Sequence, residues 1–284
     1  EMEISNRLAK KFSAQSLAEY AATGVESVPG ALQSGSVSVI WSILELQDVF
    51  GVAGPIAEIG VFKGRLFLLL CQGLNEGERA FAIDIFGQPP GSDQDMLTDF
   101  GKNLSRYGLD DGTVDIQTVD SSSLTGGDLT GRFGGQVIRL FSVDGDHGLE
   151  AVTHDLHLAR QAICAGGIII ADDLFNPWYP TVTEAVYDFF KAEGKDGPDD
   201  LEPIALVAAN GPVETGAAKL FIARYSHAAK YKAGLKLLNQ ADLKHCDPFA
   251  GFADIPTFYF DGPPQKHVLD DSMGQILEEI VTGL

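Results

Sequence analysis

Phe141-Ser-Val-Asp144-Gly-Asp146-His147, followed one helix-length later by Gly166-Gly-Ile-Ile-Ile-Ala-Asp172-Asp173, is the stretch that decides the fold. Two apolar runs, Val137 to Val143 and Ile168 to Ala171, each stop at carboxylates, and between them Leu149, Val152, Leu156 and Ile163 recur at helical spacing. Strand, helix and strand in that order make a βαβ unit. In an open parallel sheet the ligand crevice lies beyond the carboxyl ends of the strands. Here those ends carry Asp144, Asp146, His147, Asp172 and Asp173, an acidic cluster with an imidazole beside it.

The same alternation extends outward. Upstream, Pro55-Ile-Ala-Glu58-Ile-Gly60-Val-Phe-Lys-Gly64 reads as a strand and a glycine turn, and Arg65 to Leu74 as the helix that follows. Ala80 to Ile85 is a second strand, with Asp84 some twenty residues past the turn, where an acid that binds ribose hydroxyls is expected. Phe86 to Gln94, with Pro89-Pro90-Gly91, is loop-like and positioned to cover the site; Asp95 to Tyr107 is a helix, Val114 to Val119 a third strand, and Asp120-Ser121-Ser122-Ser123 its polar end. Downstream, Thr181 to Ala192 is a helix. Ile204 to Ala209 and Lys219 to Tyr225 are strands joined through Asn210-Gly211-Pro212, a connection too short for a crossover helix, so they pair antiparallel. The expected fold is α/β, a Rossmann-like, mainly parallel sheet with a reversed last strand and helices on both faces.

Three segments follow from these readings. Residues 1–50 form an N-terminal helical cap, with Leu8, Phe12, Leu17 and Tyr20 at helical intervals, a Ser/Gly loop from Ser34 to Ser38, and a helix from Val39 to Phe50. Residues 51–225 form the Rossmann-like domain. Residues 226–284 are an extension, first Lys/Ala/Leu-rich, then Pro/Phe/Asp-rich from Asp247 to Pro264, closing with an amphipathic helix from Met273 to Val281; it shapes a substrate pocket or a subunit interface.

At 284 residues and 45% hydrophobic, the chain can bury one large core with appendages. Its formal charge of −20 argues against a nucleic-acid backbone or an anionic membrane as the main partner, because both would be repelled. Cys71, Cys164 and Cys246 are widely spaced, with no Cys-x-x-Cys pair, which suggests neither a disulfide framework nor a zinc ribbon but a reducing, cytoplasmic setting. No apolar stretch approaches the ~20 residues that span a bilayer.

Glycine at a strand-to-helix turn lets the backbone approach a ligand, and Glu58 beside it can accept hydrogen bonds from an amine or hydroxyl. The pattern is not Gly-x-Gly-x-x-Gly, since Phe62 and Lys63 occupy interior positions, so a diphosphate fits poorly. Asp144, Asp172 and Asp173 end neighbouring strands, and like charges brought that close repel unless protonated or bound to a cation. A divalent ion with oxygen ligands, Mg²⁺, resolves that conflict. His147, three positions past Asp144, is the candidate general base. Each acid also has a structural alternative as a strand-end or capping residue. Phe175, Trp178 and Tyr179 form a pocket wall or ordinary loop packing.

On these residues the chain resembles the metal-dependent class I O-methyltransferases that use S-adenosylmethionine, over about Ile56 to Tyr225. Glu58-Ile-Gly60-Val-Phe-Lys-Gly64 is similar to the Glu-x-Gly-x-x-x-Gly turn of catechol-type enzymes, and Ala-Ile-Asp84-Ile to their ribose-binding strand. Val-Asp-Gly-Asp-His with Ala-Asp-Asp is closer to the macrocin and mycinamicin sugar O-methyltransferases and to cephalosporin hydroxylase-like relatives. The resemblance implies Asp144, Asp172 and Asp173 on the metal, His147 as base, and Glu58, Gly60, Gly64 and Asp84 on the cofactor, with Asp120 and Ser121 near the adenine. It implies methyl transfer to a hydroxyl of a small molecule, a sugar or glycosylated metabolite. Catechol enzymes carry Lys where His147 stands and Asn where Asp173 stands, which leaves a catechol or vicinal diol as the alternative acceptor. A non-catalytic cofactor-binding or scaffold protein is the other alternative, and a homo-oligomer stays open.

Overall fold

Side chains on successive strand residues point to opposite faces, so a strand that reads apolar throughout must be covered on both sides. The computed structural model shows this directly, and describes residues 15–87, 95–109, 112–192, 194, 197–208, 217–264 and 271–283. Leu8, Phe12, the Pro89-Pro90-Gly91 stretch, the Asn210-Gly211-Pro212 turn and His267 lie outside these residues. The strands are β1 (Ile56–Ile59), β2 (Ala80–Asp84), β3 (Val114–Thr118), β4 (Ile138–Val143), β5 (Ile163–Leu174), β6 (Leu201–Val207), β7 (Ala218–Arg224), β8 (Leu243–Phe249) and β9 (Phe252–Phe258). They form one sheet in the order β3-β2-β1-β4-β5-β7-β6-β9-β8.

The core divides by strand parity. Ile56, Ala82, Leu140, Ile168, Ile170 and Phe221 face one cluster, covered by the helices α1 (Ser34–Val49), α2 (Arg65–Gln72), α3 (Met96–Arg106) and α7 (Tyr225–Leu238). Ala57, Phe81, Phe141, Ile169, Leu220 and Ile222 face the other, covered by α4 (Gly126–Arg132), α5 (Leu149–Ala162) and α6 (Pro180–Ala192). A last helix, α8 (Asp271–Gly283), packs on α7. Among the described residues no helix is long and apolar enough to cross a membrane.

β1 to β5 are parallel, and β7 runs antiparallel to both β5 and β6. The antiparallel pairing of the two late strands is as expected from the sequence. The reversed strand is not at the sheet edge, however. It lies between β5 and β6, and the chain after Tyr225 returns to add β9, parallel to β6, and β8, antiparallel to β9. Two local expectations are corrected. The Ser34–Ser38 cluster is the first turn of α1, because this helix is buried nearly all round and its Gly35 seats against Phe260, where a Cβ would come within 2.8 Å of the ring. Ile163 opens β5, which runs well beyond the Ile168 to Ala171 core, and is not the end of the preceding helix.

At the amino-terminal edge of the sheet, Arg139 on β4 is fully buried. Its guanidinium donates to Glu78 at 2.8 Å, to Gln47 Oε1 at 2.6 Å and to the carbonyls of Gly73 and Gly54 at 2.8 and 3.1 Å. Gln47 returns a bond from Nε2 to the Arg139 carbonyl at 2.6 Å, so α1, the turn after α2 and β4 share one network. Burial works to raise the Glu78 carboxyl, but the Arg139 guanidinium and the N–H groups of Asn75 and Gly54 outweigh it and hold it below the usual carboxylate range. Removing one partner of such a pair leaves the other charge buried and alone, so Arg139→Met is expected to cost about 3–5 kcal/mol in denaturant unfolding. A loss under about 1 kcal/mol would show that the network does not hold these elements together. Because the folded Glu78 value is depressed, its contribution is present above the ordinary value of 4.5 and fades as pH falls through the folded one. Acid titration of stability in wild type and in Glu78→Gln, which should lack this component, checks the sign.

Candidate active site

Register brings the site together. Ile59 pairs level with Val143, and Val143 with Ala171, so the residues that follow, Gly60, Asp144 and Asp172, emerge side by side at one edge. Because β7 is reversed, its beginning falls at that same edge: Ala171 pairs with Leu220, and Lys219 stands next to Asp172. Gly60 is required by this packing. Its φ is +83°, and a Cβ there would lie 1.7 Å from the Asp144 carbonyl oxygen. Gly64, at φ +92°, starts α2 where a Cβ would come within 2.9 Å of the Phe100 ring.

One cleft, of about 420 Å³, opens between the ends of β1, β2, β3 and β4, and is lined by Gly60, Phe62, Asp84, Asp120, Ser121, Asp144 and His147 among others. Asp84 accepts the Phe62 N–H at 2.8 Å and the Phe86 N–H at 2.7 Å, which ties the glycine turn to the end of β2. Asp120 caps the short turn Ser121–Ser123 by accepting the Ser122 N–H at 2.9 Å, and that turn's hydrogen bonds hold its carboxyl below the usual range. His154 lies 3.0 Å from the Ser121 carbonyl, which places it behind the cleft wall, while His157 packs edge-on against Phe189. Neither Gly64 nor Glu58 lines the cleft: Gly64 shapes the helix start, and Glu58 is buried on β1.

A second cleft, of about 470 Å³, lies on the other side of the acids, between the segment from Gly30 to Ser36, the end of β5 and the start of β7. Asp172, Asp173, Asn176, Tyr179, Gln33 and Lys219 line it. Of the three aromatic candidates only Tyr179 does so. Phe175 packs edge-on against Phe249, and Trp178 is 68% exposed.

Between the clefts His147 Nε2 meets Asp173 Oδ2 at 2.6 Å. The ring lies flat on Tyr179, centroids 3.9 Å apart, and Thr181 Oγ1 donates to the His147 carbonyl at 2.7 Å. Asp173 has φ +61°, an uncommon conformation for a side-chain-bearing residue, and its Oδ1 accepts from Asn176 Nδ2 at 3.0 Å. The hydrogen bond to Asp173 raises the His147 value, burial opposes it, and the charges of Asp173, Asp146 and Asp172 add to the rise.

The residue that sequence reasoning missed is Lys219. Its buried ammonium forms an ion pair with Asp172 Oδ2, while Asp172 Oδ1 accepts the Asp173 N–H at 2.8 Å. Burial pushes the Glu58 carboxyl up to about 8, against the pull of Lys219, and pushes Asp144 well above the ordinary range, with the Asp172 charge adding to it. Among the described residues Glu58 Oε2 is buried without a hydrogen-bond partner, and Oε1 meets the Ser142 hydroxyl at 3.5 Å. The signal was in the sequence: an antiparallel strand beginning at Lys219 beside β5 must start at the carboxyl edge.

Asp144, His147 and Asp173 offer ligand atoms within 4.8 Å of one another, a mixed nitrogen and oxygen set. The three-carboxylate set Asp144, Asp172 and Asp173 is arranged differently. Both oxygens of Asp172 and both of Asp173 are already held by Lys219, a backbone N–H, His147 and Asn176.

No curated protein matches the chain. Among solved structures it is similar to an O-methyltransferase from Bacillus cereus in complex with S-adenosylhomocysteine, at 16% identity and a TM-score of 0.49, covering 76% of this chain and 89% of that one. It is similar to the O-methyltransferase of tomaymycin synthesis from Streptomyces achromogenes at 16% identity and 0.48, covering 76% and 87%. It is also similar to a TDP-rhamnose 3'-O-methyltransferase of calicheamicin biosynthesis at 20% identity and 0.47, covering 75% and 92%. Residues 57–174, from β1 to the end of β5, match the family model for a methyltransferase domain, as the sequence led us to expect for this segment.

Proposed function

We propose that the protein transfers a methyl group from S-adenosylmethionine to a hydroxyl of a small molecule, with a sugar or glycosylated metabolite as the acceptor class. The observation that carries this reading is that two clefts open on either side of one His–Asp pair: His147 lines the first and Asp173 the second. The first fits the cofactor. Asp84 stands at the end of β2 to accept ribose hydroxyls, and Asp120 and Ser121 border the adenine end. The second offers carboxylates, Asn176 and Gln33 beside the face of Tyr179, a set suited to several hydroxyls on one ring.

When bound, S-adenosylmethionine supplies a methyl carbon on a sulfonium, which the acceptor oxygen attacks as the methyl–sulfur bond breaks and its electron pair returns to sulfur. The chain positions the partners and manages the proton. Neutral His147 donating its Nε2–H to Asp173 keeps its lone pair on Nδ1, the atom that takes the acceptor proton, and Asp173 then stabilises the imidazolium. The Mg²⁺ that the resemblance implies would be held by Asp144, Asp172 and Asp173, but Asp172 is already paired with the buried Lys219 ammonium, which opposes a second cation there, and no step here passes through a metal.

Calorimetric titration with S-adenosylhomocysteine tests the cofactor. Asp84→Ala is expected to weaken it by about 1–3 kcal/mol, because the ribose hydroxyls lose their acceptor; binding of NAD in place of S-adenosylhomocysteine would refute the reading. His147→Ala is expected to leave S-adenosylhomocysteine bound and slow transfer by roughly 10² to 10⁴. Since only neutral imidazole accepts the proton, the wild-type rate should rise through a midpoint above the ordinary histidine value of 6.5 and then level. Asp173→Asn should move that midpoint down, because it removes the charge that favours the imidazolium. A His147→Ala enzyme with near wild-type rate and an unchanged profile would remove His147 from the chemistry.

A further inference from the structure

Lys219 is carried by the reversed strand into the ends of β1, β4 and β5, where Glu58, Asp144 and Asp172 converge. The side chain is 4% exposed, and a lysine is seldom buried to that degree without a compensating charge. Its compensation is direct contact with Asp172, with the carboxyls of Asp144 and Glu58 nearby. We propose that Lys219 is the resident counter-cation of this acid cluster, taking the electrostatic place of a divalent ion, so that methyl transfer in this chain runs without a metal.

The inference rests on the methyl-transfer reading above, but two observations support it independently of the acceptor. Asp172, the central carboxylate, has one oxygen on the ammonium and the other on the Asp173 N–H. Asp173 is likewise bonded at each oxygen, by His147 and Asn176. A divalent ion entering there would have to stand close to a buried positive charge. Lys219 is therefore a positioning residue. It holds Asp172 and keeps the His147–Asp173 pair free of a metal ligand's role.

The test titrates Mn²⁺ into the full chain with S-adenosylhomocysteine present, following free Mn²⁺ by electron paramagnetic resonance and thermal unfolding in parallel. Wild type is expected to show no saturable uptake at millimolar Mn²⁺, no rise in unfolding temperature, and full activity after chelation. Lys219→Met leaves the acids without their cation and is expected to bind Mn²⁺ at least about tenfold tighter than wild type, with a matching gain in thermal stability. Lys219→Arg keeps the charge and is expected to behave as wild type. Lys219→Met with Asp172→Asn removes both members of the pair and is expected to fold without gaining Mn²⁺ affinity, which guards against a single variant that fails to fold. Saturable Mn²⁺ or Mg²⁺ uptake by wild type, activity lost on chelation and restored by Mg²⁺, or a folded Lys219→Met that binds no better than wild type would each overturn the proposal. If Mn²⁺ behaves as expected while S-adenosylhomocysteine fails to bind, the lysine's place in the cluster stands and the methyl-transfer reading falls.

Discussion

The level pairing of Ile59, Val143 and Ala171 across three adjacent parallel strands is the constraint from which the site follows. Parallel strands end at the same edge, so whatever follows those three residues must share one small space. In this chain Gly60, Asp144 and Asp172 follow them. The close approach of the Gly60 backbone to the Asp144 carbonyl leaves no room for a side chain, and it is that approach, as much as any ligand, that calls for the glycine. At the other edge Arg139 ties β4 to α1 and to the turn after α2, so the strand that carries Asp144 is held from its far end.

Carboxylates crowded at one edge create an electrostatic problem that the chain must solve, and the register also determines the solution. A strand inserted between β5 and β6 in reverse begins where its neighbours end, so its first residues, not its last, face the acids. Lysine at that point is a long side chain with a compact charge, able to reach Asp172 from the strand's own backbone. The imidazole of His147 solves the same problem for Asp173 from the opposite side, and the two pairs leave Glu58 and Asp144 to be relieved by protonation or by a cationic ligand.

Much of this was legible in the sequence because strand ends are marked by a change of polarity. Asp84, Asp144, Asp172 and Asp173 each close an apolar run, and their positions at the carboxyl edge follow from that alone. What was not legible depended on contacts distant in sequence. Ser34 to Ser38 has turn-like composition, yet it is helical because Phe260 and Val207 close over Gly35. β8 and β9 were hidden because Lys244, His245 and Asp247 break the alternation of one and Pro256 interrupts the other, features that suit strands near a sheet edge better than central ones. Lys219 was read only as the start of a strand; its chemistry appears once the strand's direction is combined with its neighbour.

Backbone strain marks the same place. Asp173 and Phe175 both hold positive φ where β5 pulls away from β7, and the register between them shifts at Ala171 and Leu174. Left-handed conformations of this kind cost of order 1–3 kcal/mol each and persist only where the surroundings over-determine them. Here the bonds from His147 and Asn176 to the two oxygens of Asp173, and from the Phe175 N–H to Thr183 Oγ1 at 2.9 Å, supply that determination. The irregularity turns the Asp173 carboxylate away from the regular ladder and onto the imidazole, while Asp172, one residue earlier, stays on Lys219. Two adjacent aspartates thus receive different partners from a single break in the strand, Asp173 an imidazole and Asp172 an ammonium.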